Sequence, residues 1–415
     1  MINLLSFLPS GRWNNPIYDK LEKVYYYLSL FVLFAFSVCF LDVPETVFLV
    51  WMLSSCIVEI ILSRKCYVDV RELLLLSGML LYYIIAEDGA YLSRSLIVLS
   101  FYEYAKLFMM HTKVGYKKRG MQIFTVMASG MTIGSVLNST NIVYNGVRTS
   151  DWSLFFSGRL LAATYHVFFT LIPIALIFWA IISIREHIGL SLGIIAYGVV
   201  SNIIILSTGT RSTIIITALT FIVCGLMFFV RNLKDQKVRK IYMCCIASWL
   251  GLMLVLIVLI AVNAFGLKDI YHSDAIQYFI HRNGGVVGNV RFTEQKYIMR
   301  DMLKFPLGDN RSNYTGIGYA HNVWVDMVRV SGIIPFAIIC IYSIMSVGDV
   351  LKLHVITRRS DKTYYSYFFL GLLFSFYIYF MTEPALDISV LFWALSCMIS
   401  GAIRASTIME ESNET

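Results

Sequence analysis

The chain has 415 residues, of which 58% are hydrophobic and only 14% carry a charge, and its formal net charge at pH 7 is +8. This composition excludes an ordinary water-soluble domain and indicates a protein that crosses a membrane many times. The positive charge gives no reason to expect a nucleic-acid partner, because an excess of Lys and Arg on cytoplasmic loops, attracted to anionic lipids, accounts for it.

Hydrophobic runs of about 17–25 residues, the length that crosses a bilayer, recur from one end of the sequence to the other. We therefore expect an all-α polytopic membrane protein with about twelve transmembrane helices in a single integral membrane domain, residues 1–415. The expected spans are 24–42, 46–63, 73–88, 94–111, 120–138, 161–183, 189–207, 212–231, 241–266, 322–349, 363–382 and 385–404. The first 23 residues contain Pro9, Gly11 and mixed charges, which is unlike a cleavable signal peptide.

Lys and Arg collect in alternate loops, and the cytoplasmic loops of membrane proteins carry the excess of these residues. This distribution predicts that both termini are cytoplasmic. It leaves two external loops of interest, one at 138–160 and a long one at 267–321. None of the eight Cys residues lies in the long external loop, so no disulfide framework and no Cys metal site is expected.

Two opposite charges fall inside the fourth expected span. Glu103 and Lys106 are three residues apart and therefore share one face of a helix. Charges inside a membrane are costly and usually pair with each other, so we expect an ion pair between these two side chains. A proton relay is the functional alternative.

The external loop 138–160 is rich in side chains that bind sugars. It contains the run N-S-T-N-I-V-Y-N-G-V-R-T-S-D-W, which ends at Trp152. Hydroxyl, amide and carboxylate groups can hydrogen-bond to sugar hydroxyls, and an aromatic ring can stack on a sugar face. An ordinary polar loop with an interfacial Trp is the alternative. Arg159 begins the sixth expected span, and Tyr165 follows within two turns.

The turn between the seventh and eighth expected spans reads S-T-G-T-R-S-T over residues 207–213 and places Arg211 at the start of a helix. A cation at this end opposes the helix dipole by ~0.3–1 kcal/mol. The arrangement becomes favourable when an anion binds to the guanidinium and to the free backbone N–H groups together. Contact between Arg211 and a lipid phosphate is the alternative.

The long external loop contains two segments with helical amphipathic spacing, 273–282 and 291–305. The apolar side of the second segment would hold Phe292, Ile298, Met299, Met302, Leu303 and Phe305. Its polar residues, mostly on the opposite side, are Glu294, Lys296, Arg300, Asp301 and Lys304. Pro306 is expected to end this helix, and both helices are expected to lie on or near the membrane surface. A mobile connector is expected after it, at Gly308, Gly316 and Gly318.

The pair His321-Asn322 is expected to open the tenth span, whose N-terminus would be outside. The last external turn, T-E-P-A-L-D over residues 382–387, places Glu383 at the same membrane level. Glu383 could form an ion pair with the external arginines or bind an acceptor sugar.

Topology alone therefore brings Arg159, Arg211 and Arg291 to the same face of the membrane as His321. Guanidinium groups stay charged and match phosphate oxygens, so they suit a diphosphate on a lipid carrier, and a His suits general-base work on a sugar hydroxyl. These groups predict glycosyl transfer from a polyprenyl-diphosphate donor. No metal ion and no cofactor are expected, because diphosphate is already a good leaving group. The candidates for contact with the acceptor sugar are Asn322, Glu383, Tyr165 and Trp152.

Three ordered motifs carry a resemblance to a known family. They are G-T-R-S at 209–212, R-x(14)-P-x-G from Arg291 to Gly308, and H-N-x(9)-G from His321 to Gly332. In this order of motifs, and in the long external loop before the His-Asn pair, the chain resembles the superfamily of O-antigen polymerases (Wzy) and O-antigen ligases (WaaL), whose fold is GT-C-like. The resemblance implies that Arg211 and Arg291 hold the lipid diphosphate and that His321 activates the acceptor hydroxyl.

The motifs leave the choice of subfamily open, because the ligase-type G-x-x-G reads G-I-I-P here and the paired R-x(10)-G pattern of some polymerases is absent. The preferred prediction is a polymerase of O-antigen or capsular polysaccharide that joins undecaprenyl-diphosphate-linked repeat units at the outer face of the bacterial inner membrane. The alternatives are an O-antigen ligase that uses lipid A core as acceptor and, in another class, a flippase or transporter of lipid-linked oligosaccharide. The implied partners are the lipid-linked glycan, membrane lipids, and a flippase and chain-length regulator of the same pathway.

Overall fold

The computed structural model of the protein describes residues 2–3, 16–63, 67–110, 115–139, 142–145, 148–184, 188–207, 212–231, 240, 290–308, 320–357, 364–383, 386 and 389–414. The expected ninth span 241–266, the expected helix 273–282 and Arg211 lie outside these residues. The same is true of Gly316 and Gly318 in the expected connector.

The described part of the chain is mainly helical, as predicted. Its helices are α1 Pro16–Val38, α2 Glu45–Ser63, α3 Val70–Ile85, α4 Tyr91–Met110, α5 Tyr116–Ser139, α6 Ala163–His166, α7 Leu171–Ser183, α8 Ile188–Ser207, α9 Ser212–Arg231, α10 Val290–Asp301, α11 Val323–Ser331, α12 Ile333–Ile356, α13 Tyr365–Phe380 and α14 Val390–Glu414. A 3₁₀ turn at Val167–Thr170 joins α6 to α7.

Short strands accompany the helices. β1 Ile2–Asn3 pairs antiparallel with β2 Tyr67–Val68. β3 Ile142–Asn145, β4 Arg148–Ser153 and β5 Leu160–Ala162 form an antiparallel sheet in that order. The polar loop that follows α5 is therefore organised as a small sheet, which the composition of residues 138–160 did not predict.

Within the described ranges, six helices are long and apolar enough to cross a membrane: Lys20–Val38, Glu45–Leu62, Tyr116–Ser139, Ser212–Arg231, Ile333–Ile356 and Val390–Ser412. Shorter apolar helices occur at Val167–Ser183, Ile188–Ser201 and Tyr365–Phe380. These helices support a membrane protein. The number of twelve spans and the location of the termini stay predictions.

Helix α14 lies at the centre of the bundle. In the apolar part of its span Val390–Ser412, 89% of the residues are buried inside the protein, compared with 22% for the span in α1 and 28% for the span in α2. α14 packs most extensively on α4, and a Cβ atom at Gly401 would overlap the carbonyl of Tyr102. A glycine is therefore required at this close approach of the two helix backbones.

A buried charge network joins three helices at one end of the bundle. Arg71 Nε on α3 lies 2.6 Å from Asp349 Oδ2 on α12, and Arg404 Nε on α14 lies 2.8 Å from Asp69 Oδ2. Asp349 follows Ile333 by sixteen residues on the same helix, a rise of ~24 Å. The network is therefore at the opposite end of α12 from His321.

The expected ion pair inside α4 is confirmed. Lys106 Nζ lies 2.9 Å from Glu103 Oε1, and it also pairs with Glu72 on α3. Lys106 is completely buried. The spacing in the sequence could predict Glu103 as the partner of Lys106. It could not predict Glu72, which lies on a different helix.

Lys106→Met is expected to destabilise the bundle by about 3–5 kcal/mol, because two carboxylates would remain in the interior without their cation. The loss can be measured as a lower midpoint of thermal unfolding in detergent. Lys352→Met is the control, since Lys352 pairs with Glu411 at the surface, where an ion pair contributes about 0–1 kcal/mol. Adding Glu72→Gln and Glu103→Gln to Lys106→Met should recover much of the loss, and a failure to do so would contradict the role of buried charge.

Candidate functional site

The segment expected to be the tenth span, 322–349, is two helices. α11 ends at Ser331, Gly332 adopts φ 80, and α12 begins at Ile333. The prediction that His321-Asn322 opens a membrane span was wrong, because this pair opens the short helix α11. The sequence does not show the break, since no polar linker lies between α11 and α12 and only Gly332 separates them.

Gly332 meets Gly308 in a close backbone contact, here called the Gly308–Gly332 contact. Ile333 N–H donates to Pro306 O at 3.0 Å, and a Cβ at Gly332 would lie 2.5 Å from Gly308 N. A Cβ at Gly308 would likewise lie 2.5 Å from Val330 O, and Gly308 has φ 76. Gly308 is therefore packed against its neighbours. The prediction that it belongs to a mobile connector was wrong. The glycines that end two of the sequence motifs touch each other.

Helix α10 packs on α11 next to this contact. Ile298 is 3% exposed and packs in a small apolar cluster with Ala320, Val325 and Val328. Gln295 Nε2 also donates to Ala320 O at 2.8 Å. Arg291 lies in the first turn of α10, and its side chain is outside the described part of the structure. The backbone that carries Arg291 is thus attached to the helix that follows His321.

The predicted division of α10 into an apolar and a polar side was only partly right. Ile298 is buried as predicted, but Glu294 is also buried, at 4% exposed. Leu303 and Phe305, expected on the apolar side, are 73% and 40% exposed. The helix ends at Asp301, before Pro306. Glu294 differs because α10 buries the face that contacts α11, which periodicity alone does not identify, and Leu303 and Phe305 differ because they lie beyond the end of the helix.

Arg300, near the end of α10, forms an ion pair with the neighbouring Asp301. Arg300 NH2 and Lys304 Nζ each lie 3.0 Å from oxygens of Asp301. Hydrogen bonds from Arg300 and from Lys304 hold the pKa of the Asp301 carboxyl at about 2, so this group is ionised at physiological pH. Arg300 therefore has a carboxylate partner within its own helix end, which makes it a suitable reference for Arg291.

His321 is held in an unusual backbone conformation beside a buried acid. Its φ is 51, in the left-handed region that non-glycine residues rarely adopt. Its Nδ1 lies 3.9 Å from Oε2 of Glu383, and the Glu383 side chain is 2% exposed while that of His321 is 19% exposed. Glu383 follows α13, and its N–H donates to Tyr379 O at 3.0 Å. The two residues, far apart in sequence, meet at the same end of the bundle as predicted.

Hydrogen bonds on both sides fix the backbone of His321. Asn322 Oδ1 caps α11 by accepting from Trp324 N at 3.0 Å and from Val325 N at 3.2 Å, and its Nδ2 donates to Met381 O at 3.3 Å. On the other side, Ala320 N–H donates to Asp326 Oδ1 at 2.7 Å. Asn322 thus has a structural role as a cap and as a link to the end of α13. Its contact with an acceptor sugar stays a prediction.

A set of aromatic side chains underlies this site. The ring of Trp324 lies 5.6 Å from that of Trp393 and 5.9 Å from that of Tyr377, both in edge-to-face orientation. Tyr379, one turn before Glu383, lies close enough to Glu383 and to Tyr165 to interact with them electrostatically. Sequence reasoning named Tyr165 but missed Trp324, although its position two residues after Asn322 in H-N-V-W was a usable signal.

The other predicted site residues either have no described contact with His321 or Glu383 or lie outside the described part of the structure. Arg159 is exposed in a turn, where its backbone bonds to Ser157 and to Leu154, and its described contacts do not include His321 or Glu383. Trp152 lies in β4, but its side chain is outside the described part of the structure. The whole of Arg211 is outside it as well. Across the described ranges, no three His, Cys, Asp or Glu side chains are grouped as metal ligands. The structure thus brings together His321, Asn322 and Glu383, with the backbone of Arg291 attached to them through α10 and α11.

Comparison of the sequence with protein-family models and with curated proteins finds no match to this chain. The resemblance to O-antigen polymerases and ligases therefore rests on the three motifs.

Proposed function

We propose that this protein is a polysaccharide polymerase that transfers a growing glycan from undecaprenyl diphosphate to the terminal sugar of a new lipid-linked repeat unit. The reaction would occur at the outer face of the bacterial inner membrane. The proposal includes twelve spans with both termini in the cytoplasm, so that α10, His321 and Glu383 face the periplasm.

The observation that carries the proposal is the Gly308–Gly332 contact. R-x(14)-P-x-G and H-N-x(9)-G are separate sequence motifs, and their last glycines pack on each other. This contact fixes the distance between the helix of Arg291 and the helix that follows His321. A diphosphate site and a general base must hold a constant separation, because misplacement by about 1 Å can cost 10²-fold in rate.

In the proposed mechanism, Nε2 of His321 accepts the proton of the acceptor hydroxyl. Nδ1 faces Glu383, which would favour the tautomer with hydrogen on Nδ1 and would balance the imidazolium that forms. The acceptor oxygen forms the new bond to the anomeric carbon as the bond from that carbon to the diphosphate oxygen breaks. Arg291 and Arg211 would stabilise the negative charge on the departing lipid diphosphate. The proton then leaves His321 to the external water.

Purified protein supplied with one synthetic undecaprenyl-diphosphate-linked repeat unit tests the activity. A polymerase should give a ladder of products that differ by one repeat. A ligase would give no product without lipid A core and a single transfer when core is added. Movement of the labelled carrier across proteoliposomes without a new glycosidic bond would contradict the enzyme proposal in favour of a transporter.

Arg291→Ala is expected to weaken binding of the diphosphate donor about 10–150-fold, because hydrogen bonds to charged groups contribute about 1.5–3 kcal/mol. Binding of a fluorescent undecaprenyl-diphosphate sugar to the protein in nanodiscs measures the loss. Arg300→Ala is the matched control on the same helix, since Arg300 is paired with Asp301, and it should leave donor binding unchanged. Equal effects of the two substitutions would indicate a general influence of helix charge and not a site at Arg291.

A further inference from the structure

An exposed turn follows strand β4 and is closed by its own backbone. Leu154 N–H donates to Arg159 O at 3.0 Å, and Gly158 N–H donates to Leu154 O at 2.9 Å. Gly158 adopts φ 68, which suits glycine. Leu154 itself is 1% exposed and anchors the base of the turn. The turn is therefore a defined structure.

Two further hydrogen bonds attach the turn to the ends of membrane helices. Ser157 N–H donates to Asp42 Oδ1 at 2.8 Å, and Phe155 N–H donates to Asn138 Oδ1 at 2.8 Å. Asp42 follows α1, and Asn138 is in the last turn of α5. Both helices contain candidate membrane spans, which end at Val38 and at Ser139. The turn is consequently held beside the ends of two candidate membrane spans.

The turn presents an apolar surface with one cation. Phe155, Phe156 and Leu160 are 43%, 57% and 64% exposed, and the two Phe rings are in edge-to-face contact at 5.1 Å. Arg159 is also exposed, and it lies in sequence between the two Phe residues and Leu160. Aromatic rings, together with an Arg whose stem lies in apolar surroundings and whose head reaches the polar layer, are the side chains enriched at membrane–water interfaces.

We propose that residues 154–160 anchor the protein in the phospholipid leaflet at this end of the bundle. Phe155, Phe156 and Leu160 enter the boundary of the acyl chains, and the Arg159 guanidinium binds lipid phosphate. Phospholipid is the occupant that fits, because the surface combines apolar area with a cation and lies at the ends of two membrane helices. Arg159 then serves the membrane and not the substrate diphosphate. This inference does not depend on the proposed polymerase activity.

The test places p-fluorophenylalanine at position 156 of the full chain in nanodiscs and measures ¹⁹F relaxation. Dissolved oxygen concentrates in the acyl region, whereas a gadolinium chelate stays in water. We expect oxygen to relax the signal several-fold more than the chelate does. The same label at Phe376, which is buried inside the protein, is the control for a ring protected from both agents. The nanodiscs contain phospholipid and no polyprenyl carrier, so oxygen contact identifies phospholipid as the occupant.

Strong relaxation by the chelate would place the turn in water and overturn the proposal. Protection from both agents, as at Phe376, would mean that protein covers the turn and would overturn it equally. In an Arg159→Glu variant, repulsion from lipid phosphate should raise the relaxation by the chelate several-fold, while Arg159→Lys should keep the wild-type ratio. An unchanged ratio in Arg159→Glu would contradict the assignment of Arg159 to lipid phosphate.

Discussion

His321→Ala is expected to lower the rate of glycan transfer by about 10²–10⁴-fold, which is the contribution of a positioned general base. Binding of the lipid-linked donor should be retained, because the proposed diphosphate contacts come from Arg291 and Arg211. Single-turnover formation of the first product and binding of labelled donor give the two measurements. A variant that makes polymer at the wild-type rate would end the general-base proposal, and one that loses donor binding would place His321 in the diphosphate site.

Glu383 provides the second half of this prediction, because its carboxylate is buried beside Nδ1 of His321. If Glu383 acts by orienting the imidazole, Glu383→Gln should lower kcat and leave KM for the acceptor nearly unchanged. If it binds the acceptor sugar, as the sequence suggested, the same substitution should raise KM.

A double-mutant cycle separates these roles. Glu383→Gln should have no further effect in the His321→Ala background when Glu383 acts only through His321. Additive losses would show that Glu383 has a role of its own. The cycle also distinguishes two failures: an active His321→Ala contradicts the proposed mechanism, whereas an inactive His321→Ala with additive Glu383→Gln contradicts only the positioning role.

The parts of the fold that sequence predicted are those set by local pattern. Continuous apolar runs predicted helices, and the i, i+3 spacing of Glu103 and Lys106 predicted their ion pair. The meeting of His321 with Glu383 followed from topology, because loops at one face of a membrane protein share one level. These inferences need only the length of a span and the period of a helix.

The parts that sequence did not predict depend on contacts between elements. No polar linker lies between α11 and α12, so the break at Gly332 is visible only in the backbone. The buried side of α10 includes Glu294, and sequence alone does not show that α10 packs against α11. Trp324 was not predicted, although it lies two residues after Asn322, because an aromatic residue near an apolar run is most often a core residue.

Gly332→Ala is expected to separate α10 from α11 and to lower activity strongly. The backbone at Gly332, with φ 80 and ψ −169, is a conformation that other residues adopt only at a cost of about 1–3 kcal/mol. A Cβ there would also overlap the carbonyl of Pro306, which accepts the hydrogen bond from Ile333 N–H. The new side chain cannot fit while Gly308 remains in place, so the Gly308–Gly332 contact must open. Since the contact fixes Arg291 relative to His321, a loss of about 10²-fold in transfer follows from misplacement alone.

Hydrogen–deuterium exchange shows whether the loss comes from this contact. Peptides that cover residues 290–308 and 320–333 should exchange faster in Gly332→Ala, while peptides from α14 should exchange as in the wild type, because the bundle core does not include the contact. Gly348→Ala on the same helix is the control, since no atom lies within 4 Å of a Cβ at Gly348. That substitution should keep activity and stabilise α12 slightly, because alanine is the better helix former. Wild-type exchange and activity in Gly332→Ala would mean that the separation between the Arg291 helix and His321 does not control the reaction.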